Sequence, residues 1–182
     1  MTKPNGYQVK AVKSFHGHDG IGYEAKLYNP EGKKVALVVE DGYGGGLQYY
    51  WEDDAAPKVE CKSVDYSDEP TTFKGTPFQA ALYAHCLALP KYHSKWDDEG
   101  VEHHVTPDIH VDDLVNRKTI EKEVKKLTKK AAVINGTDIV TWSCEIDRKG
   151  VRSHIAEKYP HGIILNDLPL EKAVDAYVAL QG

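Results

Sequence analysis

Cysteine is scarce. The 182 residues hold three, Cys61, Cys86 and Cys144, odd in number, far apart and without a C-x-x-C spacing. That argues against a disulfide framework and against a cysteine-based zinc site, and the thiols read as reduced ones in a cytoplasmic protein. Long apolar runs are missing too: nothing approaches the roughly 18 uninterrupted residues of a membrane span, and MTKPNGYQVK at the start has no apolar export core. The expected setting is the cytoplasm, with no membrane partner. Basic charge is in deficit, with a net charge of −5, so the molecule as a whole repels nucleic acid. The motifs of common catalysts are absent as well. There is no G-x-S-x-G elbow for a nucleophilic serine and no H-E-x-x-H for a zinc hydrolase.

What is present is an ordinary globular balance, 41% hydrophobic and 28% charged, in a chain long enough to bury a core without staples. The charge is unevenly spread. Residues 52 to 69 hold seven acidic residues against two lysines, whereas residues 117 to 130 hold seven basic against two acidic.

The first fifty residues read as an antiparallel β-meander. Tyr7, Val9 and Ala11 alternate with polar residues, as do Tyr23, Ala25 and Leu27 and then Leu47, Tyr49 and Trp51, while VALVV at 35–39 is a buried-strand run. Asp19-Gly20, NPEG at 29–32 and Asp41-Gly42 supply turn chemistry in the gaps. Residues 52–76 read as an acidic linker or covering loop, with one weak edge strand at 58–64. Thr76 as N-cap, Pro77 at the first helical position and Gln79 mark the start of an apolar helix that stops before Pro90. A longer amphipathic helix follows over about 108–130, then strands near 131–135, 138–146 and 162–165, a short helix near 151–159 and a last helix opened by Asp167 and Pro169. The expectation is an α+β fold: a meander with acidic linker over 1–75 and a helix-rich α/β half over 76–182, separate or sharing one core. If 101–105 is also a strand, the second half has the order βαββαβα of ferredoxin-like sheets.

The stretch EDGYGGGLQYYWEDD, residues 40–54, poses the main functional question. A phosphate-binding glycine loop needs free backbone N–H groups, a following helix and usually a lysine. Here a strand pattern follows Gly46, and Glu40, Asp41, Glu52, Asp53 and Asp54 would repel an anion. The loop therefore reads as a flexible hairpin tip. Its aromatics suit a protein interface, where Tyr and Trp dominate. The candidate docking residues are Tyr43, Gly44, Gly45, Gly46, Tyr50, Trp51, Asp53 and Asp54. On a strand Tyr49 and Trp51 share one face and Tyr50 takes the other.

Two alternatives stand beside it. His16 and His18, two apart at a strand end with Asp19 next, have the spacing to chelate a metal for assisted hydrolysis, although no third ligand has an identifiable spacing. Lys118, Lys122, Lys125, Lys126 and Lys129 form one stripe on the long helix and offer a nucleic-acid contact or only a solvated face. Five of the nine histidines, between 85 and 110, read as a surface cluster. No catalytic residue and no cofactor are called for.

VKSFHGHDGIGYEAKLYNPEGKKVALVVEDGYGGGLQYYW at 12–51 resembles the opening of small uncharacterised proteins of tailed phages and prophages, with F-x-G-H-D-G before a G-K-K-V-A strand and a G-G segment before an aromatic. KYPHGIILNDLP at 158–169 is similar to their close. The resemblance implies a mobile genetic element and no particular mechanism. In that setting the expectation is a non-catalytic accessory protein in the host cytoplasm that binds a host macromolecule, with an anti-CRISPR-like inhibitor of a defence system as its sharpest form.

Overall fold

The computed structural model describes residues 6–64, 69–94 and 100–180. The chain divides into two compact units, Met1–Val115 and Asn116–Gly182. The fold class is α+β, with four helices and three small antiparallel sheets among the described residues.

The first unit is built on the meander. Strands β1 (Gln8–His16), β2 (Ile21–Tyr28), β3 (Lys34–Glu40) and β4 (Gln48–Trp51) pair in sequence order, all antiparallel. The inner face carries Val9, Tyr23, Ala25, Leu27, Ala36 and Val38, buried with Leu82 and Cys86 of α1 (Pro77–Leu87) and with Val111 and Val115 of α2 (Pro107–Leu127). Ala11 departs from the alternation expected of it. Between Lys10 and Lys13 the register slips, Ala11 sits exposed at φ 54, and Val12 takes the core position. A bulge of this kind returns the polar residue after it, Lys13, to the outer face.

The segment read as a linker is partly a hairpin. Strand β5 (Val59–Val64) pairs with β6 (Pro70–Gly75), a strand the composition hides because none of its six residues is a buried hydrophobic and it opens on proline. Cys61 of β5 is buried. Residues 65–68 of the acidic belt, and 95–99 in the polar stretch after α1, lie outside the described residues. Helix α1 begins as its sequence indicates: Thr76 is buried and its Oγ1 accepts the Gln79 N–H. The same Thr-Pro grammar opens α2, where Thr106 Oγ1 accepts the Ile109 N–H.

The boundary between units falls inside α2, not at 75/76, because α1 and the first turns of α2 bury their apolar side chains in the meander's core. In the second unit β7 (Ala132–Asn135) is central between β8 (Asp138–Thr141) and β9 (Ile163–Ile164). One face of β7, Ala132 and Ile134, meets Ile120 and Val124 of α2 and Ala173, Val174 and Tyr177 of α4 (Leu170–Val178). The other, through Val133, meets Ile155 of α3 (Val151–Lys158). The ferredoxin-like order does not form. Residues 101–105 contribute only an isolated bridge, His103 to Tyr92, so this sheet has three strands.

Candidate functional site

An antiparallel meander sends its first and third turns to the same end of the sheet. Here the β1–β2 turn, 17–20, and the β3–β4 loop, 41–47, touch through two glycines. Gly42 has φ +74, and a Cβ on Gly17 would lie 2.6 Å from Gly42 Cα and 2.7 Å from the Asp41 carbonyl oxygen. The contact is locked by the Asp19 N–H donating to the Gly42 carbonyl at 2.8 Å. Gly17→Ala would force two backbones apart with no flexible side chain to yield. It is expected to cost about 1–2 kcal/mol and to release the tip; thermal melting, with amide exchange at Asp19, would show both effects.

The loop's amides already have anions. Gly42 N–H donates to Glu40 Oε1 at 3.0 Å, Tyr43 N–H to Asp41 Oδ1 at 2.9 Å and Leu47 N–H to Asp108 Oδ2 at 3.2 Å. Gln48 Nε2 holds the other oxygen of Asp41 at 3.1 Å. Three of the amides a phosphate cradle would aim outward, those of Gly42, Tyr43 and Leu47, are taken by the chain's own carboxylates, which also repel a second anion. What the tip shows to solvent is side chains. Tyr43 is 64% exposed, and its ring stacks on His18 with centroids 5.9 Å apart and planes 20° from parallel. Ile21, beside the same turn and paired across from His16, is 68% exposed.

The eight residues expected to dock do not gather in one place. Tyr43, Gly44, Gly45 and Gly46 form the exposed loop. Tyr50 points to the outer sheet face, as strand parity requires, and is 56% exposed. Trp51 turns inward, stacked on Tyr49 at 5.3 Å and 7° against the core. Asp53 serves helix α1: its Oδ2 accepts the Phe78 N–H at 2.8 Å, a donor the helix itself leaves unpaired. Asp54 pairs with Lys58 at 2.8 Å. His18, which by its spacing stands only as an alternative metal ligand with His16 and Asp19, is the stacking partner of Tyr43. Its Nε2 lies 3.9 Å from Asp19 Oδ1, and among the described residues no three His, Cys, Asp or Glu side chains converge as metal ligands.

No family model, curated protein or solved structure matches this chain. Its function therefore rests on its own geometry.

The lysine stripe on α2 is divided by its neighbours. Lys118 and Lys125 both grip Glu121, at 2.6 and 2.5 Å, and Lys122 is also engaged. Lys126 and Lys129, with Lys130, line an open depression of about 500 Å³ beside Leu127 and Thr141. They sit at the carboxyl end of the helix, where cations offset the helix dipole. Trp142, the candidate stacking aromatic that the sequence places in the adjoining sheet, packs edge-on against Tyr159 at 5.9 Å. The histidines of 85–110 are likewise not one surface cluster. His85 and His110 lie 5.1 Å apart, both against the buried Tyr7, while His93 is exposed and meets Glu102 at 3.3 Å.

Proposed function

We propose that this chain is a non-catalytic binding protein that docks on a macromolecular partner through the stacked Tyr43–His18 pair at the tip of its four-stranded sheet. The observation that carries the reading is a large exposed aromatic pair on two loops braced at Gly17 and Gly42, with the Tyr43 amide itself held by Asp41. Aromatic anchors dominate interface energetics, and a pre-organised loop loses little conformational freedom on binding. Asp19 and Asp41 flank the pair, so the complementary surface is basic, and charge of that sign hastens encounter. In the phage or prophage setting that the sequence resemblance implies, the partner is a host protein with a basic groove, and a nuclease of a defence system is the first class to test.

A photo-crosslinking amino acid placed at position 43, with a control at exposed Arg148 in the second unit, tests this in host extract. The expected result is a discrete adduct from position 43 alone. Excess unlabelled protein should suppress it, and a His18→Ala, Tyr43→Ala competitor should suppress it at least tenfold less well, about the effect of losing one modest hot spot. Equal adducts from both positions, or equal competition by the double variant, would remove the proposal.

A further inference from the structure

The outer face of the four-stranded sheet is a second surface, distinct from the tip. Its pairing places Lys10, Lys26, Leu37 and Tyr50 in one row across all four strands and Lys13, Glu24, Val39 and Gln48 in the next. All eight side chains are exposed or half-exposed, in contrast to the buried inner face. Phe15 extends the surface. It pairs with Gly22, and its ring lies so close over that glycine that a Cβ there would meet Phe15 Cε2 at 2.6 Å, yet Phe15 stays 41% exposed. The ring is held down on one side and open on the other.

Charge on this face runs against that of the whole molecule. The two rows carry three lysines and a single carboxylate, Glu24, which sits 3.8 Å from Lys13 in an exposed contact. Lys26 makes no ion pair among the described residues, and Lys10 Nζ is held 4.3 Å above the Tyr28 ring. Neighbouring strands lie about 4.8 Å apart and alternate residues about 6.6 Å along a strand. Cations and open rings are thus spread over the sheet at distances that successive nucleotides of an unpaired strand can span. Sequence-tolerant binding of single strands combines these two elements, ammonium groups for the backbone and aromatic faces for the bases.

We infer that the outer sheet face binds single-stranded nucleic acid, with Lys10, Lys13 and Lys26 meeting phosphates and Tyr50 and Phe15 stacking on bases. This is a different surface from the lysine stripe of α2, and the inference stands whether or not the tip docks on a protein. An acidic protein segment brings a ring only where an aromatic residue falls, whereas every nucleotide of a single strand carries both a phosphate for the lysines and a base for the open rings.

Fluorescence anisotropy of the full chain with a labelled single-stranded oligonucleotide of about twelve nucleotides tests it. With about three phosphates neutralised, affinity should fall about 20-fold between roughly 50 and 200 mM salt. Tyr50→Ala should weaken binding about fivefold or more, and Lys26→Glu in a Lys10→Glu background should weaken it further and flatten the salt dependence. Circular dichroism and melting confirm that these exposed substitutions leave the fold intact. A duplex of the same sequence should compete poorly because its bases are not free to stack. No binding at low salt, equal competition by duplex or by an acidic peptide, or indifference to Tyr50→Ala would each overturn the inference.

Discussion

Asp108→Ala is expected to destabilise the first unit by about 2–4 kcal/mol, because two hydrogen bonds to one carboxylate are lost at once. Asp108 sits in the first turn of α2, where a carboxylate ordinarily serves the helix's own amino end. Here it reaches instead to the sheet. Its Oδ2 accepts the Leu47 N–H at 3.2 Å and its Oδ1 accepts the Tyr49 hydroxyl at 2.9 Å. Burial, with Asp108 beside it, pushes the Tyr49 phenol far up, so Tyr49 remains a neutral donor throughout the stable range. Alanine would leave two inward-facing donors without an acceptor and would free the loop whose far end carries Tyr43. Asp108→Asn keeps the shape and one acceptor oxygen, and should lose about half as much. Urea unfolding followed by near-ultraviolet circular dichroism measures both. A loss below about 1 kcal/mol for Asp108→Ala would mean that the loop is held by other contacts.

The second large effect is acid lability. His110 is held neutral in the fold, its pKa pushed down to about 4 by burial and then by the nearby His85 ring, against an ordinary value of 6.5. His85 is itself lowered by burial, and Tyr7, the third ring, is pushed up to about 12 by burial, so it stays neutral. Between pH 6.5 and 4 the unfolded chain takes up the proton that the folded chain refuses. Stability is therefore full above the ordinary histidine value, falls as pH drops through this window and levels off below it. Allowing for solvent at the open edge of the ring, the loss is about 2–3 kcal/mol. His110→Phe fills a similar volume without titrating and should remove most of the decline. Asp112 and Asp113, both raised by burial, act in the opposite sense at lower pH. The informative quantity is accordingly the difference between wild type and His110→Phe in melting temperature, followed from about pH 7 to pH 4.5. Parallel curves would contradict the assignment.

Both effects arise from contacts between residues far apart in the chain, and they mark what the sequence did and did not reveal. Local grammar was readable: Thr76-Pro77 opens α1, the unbroken apolar run at 131–134 becomes the central strand β7, and strand parity separates Tyr50 from Tyr49 and Trp51. Thr106-Pro107 carries the same helix-start signal as α1 and would have placed the start of α2 one residue earlier. Strand β6 was hidden because an exposed edge strand has no need of apolar alternation. The partners of polar side chains were hidden for a different reason. Asp53 reads as a free docking acid until Phe78 is folded against it, and His18 as a ligand until Tyr43 arrives from another loop. Asn166 offers no sequence signal at all, yet it accepts the Ala132 N–H and donates to the Thr128 and Lys130 carbonyls, closing the carboxyl end of α2.

The glycine loop presents the Tyr43 side chain while the Gly42, Tyr43 and Leu47 amides are held by Glu40, Asp41 and Asp108. Titrating the ¹⁵N-labelled protein with ATP and, separately, with inorganic phosphate tests this directly. The Gly42, Tyr43 and Leu47 amide resonances should stay in place, with Leu47 slow to exchange. Saturable movement of these three amides together would show an anion seated in the loop, in place of the chain's own carboxylates.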